Sequence, residues 1–291
     1  MSEKIKLQHY VPKCYLKNFS IQDREDCLFC FDKSKSSKFV VNSRNIASET
    51  SFYDTYEDID QQTEKTLSHI ESSFNIACRR LVATEDLSGL TTRNWLSMAR
   101  FIATQELRTK ERRANLKDTV KRIIKGMSSV KQSDEEVERL RLLKELVDTD
   151  EGVKSLHIGI LEDVKVLTDE ILAMGWVLLV NRTSLPYWCS DHPVSHYHHI
   201  DMSPWGKLGL KCGAIQAYFP LAPKISLCLC TQAMDSSLPS KLEVLDVRQI
   251  IFQNYLQVYG STRYIFSDKD VFSLAEQMIK YKEGCLLIKP S

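Results

Sequence analysis

Hydrophobic positions fall into two kinds of spacing, and these divide the chain into stretches of sheet and stretches of helix. In "CLFCFDK" and "SKFVV", aromatic and β-branched residues form short runs around the polar turn "SKS", which predicts a hairpin. Next, "DIDQQTEKTLSHIESSFNIACRRL" sets Leu67, Ile70, Phe74, Ala77 and Leu81 at three- and four-residue steps, the stripe of an amphipathic helix. A second stripe, Trp95, Met98, Ala99 and Ile102, follows "SGLTT", where Thr92 can act as the cap. The same face continues through Gln105 and Arg108 into "RANLKDTVKRIIKG", which Gly126 is expected to stop. From Asp134 to Asp148, "DEEVERLRLLKELVD" repeats leucines among charges of both signs, a solvated helix with one buried seam. "LEDVKVLTDEILAM" predicts one more.

After Gly175 the period changes. "GWVLLVN" and "YWCS" are strand-like runs joined by "RTSLP", and "AIQAYFPLAPKISLCLC" predicts two strands around the corner from Pro220 to Pro223. The runs before these turns are too apolar for edge strands. Helices are expected at "VLDVRQIIFQNYLQVYG" and near "VFSLAEQMIKY", and a strand at "CLLIK". The order predicts an α+β fold: a mostly antiparallel sheet with helices on one face, an N-terminal hairpin, and a helix-rich insert at about 60–174. Residues 1–291 are read as one domain.

With 291 residues, 43% of them hydrophobic and 26% charged, the chain can bury a sizeable core. A net charge of +1 argues against coating nucleic acid through overall charge, so any basic footprint must be local. No apolar run reaches the roughly 18 residues of a membrane span, and "MSEKIKLQHY" lacks the apolar centre of a signal peptide. The expectation is a cytoplasmic protein without a membrane partner, its nine cysteines reduced.

Nucleotide-cradling, dinucleotide, zincin and nucleophile-elbow signatures are absent from the sequence. Cys27 and Cys30 form one C-x-x-C in a strand-like run, where they face opposite ways, and no second pair follows at zinc spacing. "WCSDHPVSHYHH" places Ser190, Asp191 and His192 after a buried-looking strand, a carboxylate for a divalent metal or for activating water beside a proton-shuttling imidazole. The alternative is that Asp191 makes a turn before Pro193 while His196, His198 and His199 decorate a surface loop. Glu71 stands at the edge of its helix's buried stripe and needs a partner, which Arg108 can supply, as catalytic pair or as structural ion pair. In "KLQHYVPKCYLKNF", Val11, Tyr15, Leu16 and Phe19 suit an apolar clasp after Pro12, leaving Gln8 and His9 to enter a cleft or to bond backbone.

"QHYVPKCYLKNF", "FIATQELRT", "SDHP" and "YFPLAP", in that order, resemble the landmarks of the uncharacterised HYVP-type family, domain of unknown function 4238. The resemblance spans nearly the whole chain. Carried over residue by residue, it falls on Gln8, His9, Pro12, Asn18, Gln105, Arg108, Ser190, Asp191 and Pro193, with His192 where the family more often places asparagine. It implies a prokaryotic or mobile-element-associated protein, some relatives being linked with anti-phage defence, and no reaction.

These residues give one leading expectation and one rival. The first is a metal-assisted hydrolase, most plausibly a nuclease, whose cleft is lined by His9, Glu71, Gln105, Arg108 and Asp191. Glu71, Asp191 and His192 would hold Mg or Mn, His9 would act as general base or acid, and Arg108 would steady phosphate charge. Between Arg100 and Lys125, nine Lys or Arg against three acidic residues would guide nucleic acid to the cleft. The rival is a sensor or binding module that holds a ligand in the same pocket and breaks no bond.

Overall fold

Strand β1 (Leu7–His9) leads into a single helical turn, α1 (Lys13–Leu16), which Pro12 introduces from extended backbone. Val11, Tyr15, Leu16 and Phe19 are all fully buried, so the predicted clasp forms. Tyr15 stacks on Phe219 at 5.1 Å between ring centroids and donates its hydroxyl to the Pro220 carbonyl at 2.7 Å. The α1 turn is thereby pinned to the middle of a distant strand. The computed structural model describes residues 4–128, 133–199, 210, 213–231 and 239–280; the expected strand "CLLIK" lies outside them.

The predicted hairpin is β2 (Cys27–Asp32) and β3 (Ser37–Asn42), antiparallel with Cys27 opposite Asn42. A short strand, β4 (Ser48–Thr50), returns to β1 and sets Glu49 opposite Gln8. Helices then follow one another: α2 (Gln62–Thr84), α3 (Thr92–Arg108), α4 (Lys110–Met127), α5 (Asp134–Asp148), α6 (Asp150–Leu161) and α7 (Val164–Ala173). Thr91 rather than Thr92 caps α3, in a reciprocal box with Asn94. Gly126 does not stop α4, which runs on to Met127. Helix α6 is not among those expected, although Thr149 caps it and Asp150 and Glu151 occupy its first turn. It begins at a corner where Gly152 lies so close to Leu146 that a Cβ would stand 2.2 Å from the Leu146 carbonyl oxygen, so a side chain there would force the helices apart.

The second half supplies β5 (Gly175–Asn181), β6 (Cys189–Ser190), β7 (Ser195–Tyr197), β8 (Gln216–Ala222), β9 (Ile225–Cys230), β10 (Lys241–Val244), α8 (Val247–Gly260), β11 (Tyr264–Ser267) and α9 (Ser273–Lys280). The β8–β9 turn falls at Pro223-Lys224, while Pro220 lies within β8 beside a register shift. Among the described residues two larger sheets result, ordered β10-β5-β9-β8-β7 and β3-β2-β11-β6, in which only the β10–β5 pair is parallel. The fold is α+β.

Helices cover both faces of the five-stranded sheet, where one face was expected. Successive strand residues point to opposite sides, and β5 and β9 are apolar on both. Leu178, Val180, Leu227 and Leu229 join the cluster holding Phe74 of α2 and Phe101 of α3. Val177, Leu179, Cys228 and Cys230 join Ile250 and Phe252 of α8 on the other side. Phe74 and Phe101 stack at 3.6 Å, which aligns α2 with α3 and fixes what the far end of α3 can touch. Among the described residues, no helix is long and apolar enough to cross a membrane.

Candidate functional site

The continuous helix expected through Arg108 is broken at Thr109. That residue takes extended backbone (φ −75°, ψ 161°), and its hydroxyl accepts from the Arg112 N–H at 3.3 Å to start α4. Gln105, Glu106, Arg108 and Thr109 are all buried at this corner.

At the far end of α3, Arg108 is among the largest fully buried side chains, and its guanidinium is engaged on every side. Nη1 donates to Glu71 Oε1 at 2.8 Å, Nε to the Tyr53 hydroxyl at 3.0 Å, and Nη2 to the His9 carbonyl at 2.5 Å. Only 1% of the side chain is exposed, so the expected contact with substrate phosphate has no open route. His9, Glu71 and Arg108 do come together, but through the backbone of His9. The His9 ring instead places Nε2 3.3 Å from the Ser43 carbonyl, and burial pushes the imidazole below its usual range despite that bond. Gln8 is wholly buried; it accepts from the Tyr53 N–H at 2.6 Å and donates to Asp54 at 2.5 Å. These bonds make the N-terminal motif architectural.

Gln105 lies three residues before Arg108, on the same side of α3. It is fully buried, and among the described residues neither atom of its amide has a hydrogen-bond partner. On α2, Glu64 likewise has an oxygen without a partner, and burial raises its carboxyl to about 7, outweighing the pull of Arg108. A carboxyl raised on folding stabilises the protein below its unfolded value, and that contribution is lost as pH rises through about 7. Glu64→Gln is therefore expected to flatten the fall in stability between about pH 5 and pH 8. Urea denaturation of both proteins at several pH values checks it.

Asp191 is placed elsewhere by the strand order. Its carboxylate accepts from three successive backbone amides entering β11: Thr262 at 2.8 Å, Arg263 at 2.7 Å and Tyr264 at 3.0 Å. Among the described residues it makes no hydrogen bond to Gln8 or to His9. Tyr10 is the motif neighbour it does meet, in a hollow of about 190 Å³ whose walls include Glu49, Lys110, Arg263 and Tyr264. Lys110 is ion-paired with Glu49, and Arg263 with Asp32 at 2.6 Å.

The expected metal trio is not assembled. Glu71 holds Arg108, Asp191 holds the β11 amides, and His192 sets Nδ1 2.6 Å from the Thr109 hydroxyl. Among the described residues, no group of three or more His, Cys, Asp or Glu side chains is placed to hold a metal ion.

A different pairing joins the same two motif segments. Glu106, buried on α3, lies 3.3 Å from Nε2 of His196 on β7. Burial opposes ionisation of this carboxyl, yet the nearby imidazoles of His196 and His192, together with Arg112, hold it below the usual carboxylate range. Glu106 in the last turn of α3 and Thr109 just past its end are three residues apart, and each takes one histidine of "SDHPVSH". His196 is thus no surface decoration, whereas His199 is exposed and His198 bonds the Gly213 carbonyl at 2.9 Å. The three-residue spacing of Glu106 and Thr109 was the available signal; following only the apolar stripe passes over it.

Of the basic stretch, Arg108 and Arg113 turn inward. Arg113 lies 3.5 Å from the centre of the Phe52 ring and donates to His157 Nδ1 at 3.1 Å, and burial lowers its guanidinium to about 10. Lys117, Lys121 and Lys125 recur every fourth residue down one side of α4, a row that begins at Lys110 beside the hollow.

Neither a curated protein nor a solved structure matches the chain. A family model described as "Protein of unknown function (DUF4238)" matches residues 7–270, most of the sequence, and the chain belongs to that family.

Proposed function

We propose that the protein is a hydrolase of phosphodiester bonds in nucleic acid that works by acid–base chemistry on two imidazoles. The observation that supports this reading is the meeting of two distant motif segments through Glu106–His196 and Thr109–His192. A buried carboxylate beside an imidazole stabilises its protonated form. One imidazole would take a proton from the attacking hydroxyl or water, and the other would give one to the leaving oxygen. The lysine row on α4 would draw the polyanion toward this corner. In a defence setting the substrate would be phage nucleic acid.

The test is cleavage of labelled single- and double-stranded DNA and RNA by wild type, His196→Ala, His192→Ala and Glu106→Gln, each checked for a native melting curve. Losses of about 10²–10⁴-fold for either histidine variant, with a bell-shaped pH profile, are expected. Each substrate is assayed in chelator, in Mg²⁺ and in Mn²⁺. Activity that survives chelator supports the two-imidazole reading, and strict dependence on added ion restores the metal-assisted one.

A binding module is the second reading, favoured by the hollow itself. At about 190 Å³ it is smaller than the roughly 300–1,000 Å³ that encloses a whole small molecule, so it suits part of a larger partner. Oligonucleotide binding lost in Lys110→Ala, with no cleavage by wild type under any condition, would replace the hydrolase with this module.

A further inference from the structure

On β9, Cys228 and Cys230 are two residues apart, so both side chains emerge on the face covered by α8. Their sulfurs are 3.5 Å from each other. Across the ladder Tyr218 stands opposite Cys228 and Gln216 opposite Cys230, and the Tyr218 hydroxyl donates to Gln216 Oε1 at 2.8 Å. On the other side Cys230 is opposite Gly175, which contributes no side chain. Two touching thiols therefore sit at the end of a strand, with a polar rim on one flank and space on the other.

We infer that Cys228 and Cys230 form a two-coordinate thiolate site for a soft monovalent ion, Cu(I), with Ag(I) as its redox-inert stand-in. Soft thiolates select such ions. Geometry separates this from a disulfide. Residues two apart in a strand have Cα atoms roughly 6.6–6.8 Å apart, at the upper limit for a disulfide, whose usual separation is about 5.5–6 Å. Two metal–sulfur bonds of about 2.3 Å each bring sulfurs to no more than about 4.6 Å, little beyond the present 3.5 Å contact. Binding removes one proton from each thiol to solvent, and each sulfur gives a lone pair to the ion. Zn²⁺, which needs four ligands, is not expected here.

The experiment titrates reduced, metal-free, full-length protein with Ag(I) and counts bound ion by native mass spectrometry. Wild type, Cys228→Ser, Cys230→Ser and Cys78→Ser are compared; Cys78 is a buried thiol that takes a hydrogen bond from Asn18. Each variant of the pair should lose one tightly held ion and Cys78→Ser should lose none. Because serine can disturb the sheet, X-ray absorption at the silver edge on wild type loaded with a single equivalent gives an independent reading, with two sulfur neighbours expected. Equal Ag(I) content in all four proteins, or a single sulfur neighbour, overturns the site. A readily formed Cys228–Cys230 linkage under mild peroxide, seen as loss of two hydrogens from the peptide spanning 225–241, would overturn the geometric argument.

Discussion

Arg108→Ala is expected to lower the free energy of unfolding by about 3–5 kcal/mol, a large share of the roughly 5–15 kcal/mol that holds a typical domain together. The reason lies in what is left behind. Without the guanidinium, the Tyr53 hydroxyl and the His9 carbonyl lose a donor inside the protein, and Glu71 loses its counter-charge. Glu71→Gln should cost less, because that side chain keeps 24% of its surface in contact with water. A double-mutant cycle between the two positions, read by urea denaturation, measures the coupling directly. An Arg108→Ala protein as stable as wild type would mean that the arginine exists to meet substrate, and the architectural role argued for it would be wrong.

The same residue shows how far the sequence could be read. A polar residue on the edge of the α2 stripe must find a partner, and helix spacing put Arg108 within reach of Glu71; the ion pair forms at 2.8 Å. Stripes such as Leu67, Ile70, Phe74 and Leu81 were legible for the same reason, since a period of three to four has one structural cause. Thr109 was not legible as a break. It carries neither glycine nor proline chemistry, and its role as cap depends on the chain turning there. The two-sided cover of β5 and β9 could have been taken from their unbroken apolar runs, which have no face left for water. Asp191 marks the opposite limit. Its partners lie about seventy positions later, and nothing around "SDHP" distinguishes an aspartate that binds an ion from one that receives a strand's amides.

That contrast makes Asp191 the most informative position to change. Asp191→Ala removes the acceptor for three partly buried backbone N–H groups, and since water can reach them in part, a loss of about 1–3 kcal/mol is expected. Asp191→Asn keeps one oxygen and should lose roughly half as much. The pH dependence carries the sharper prediction. Burial raises the carboxyl to about 6, more than the three amides and Lys33 lower it. Because the folded value exceeds the unfolded one, the proton-linked stabilisation is complete below about pH 4 and disappears as pH rises through about 6. Wild type should therefore gain on Asp191→Asn by up to about 2–3 kcal/mol as pH falls from about 7 to 4. Unfolding free energies of the two proteins across that range decide the matter. If the gap instead narrows on acidification, the amides outweigh burial, the resident species is a strongly held anion, and the clasp on β11 is an electrostatic one in which protonation would loosen the floor of the hollow.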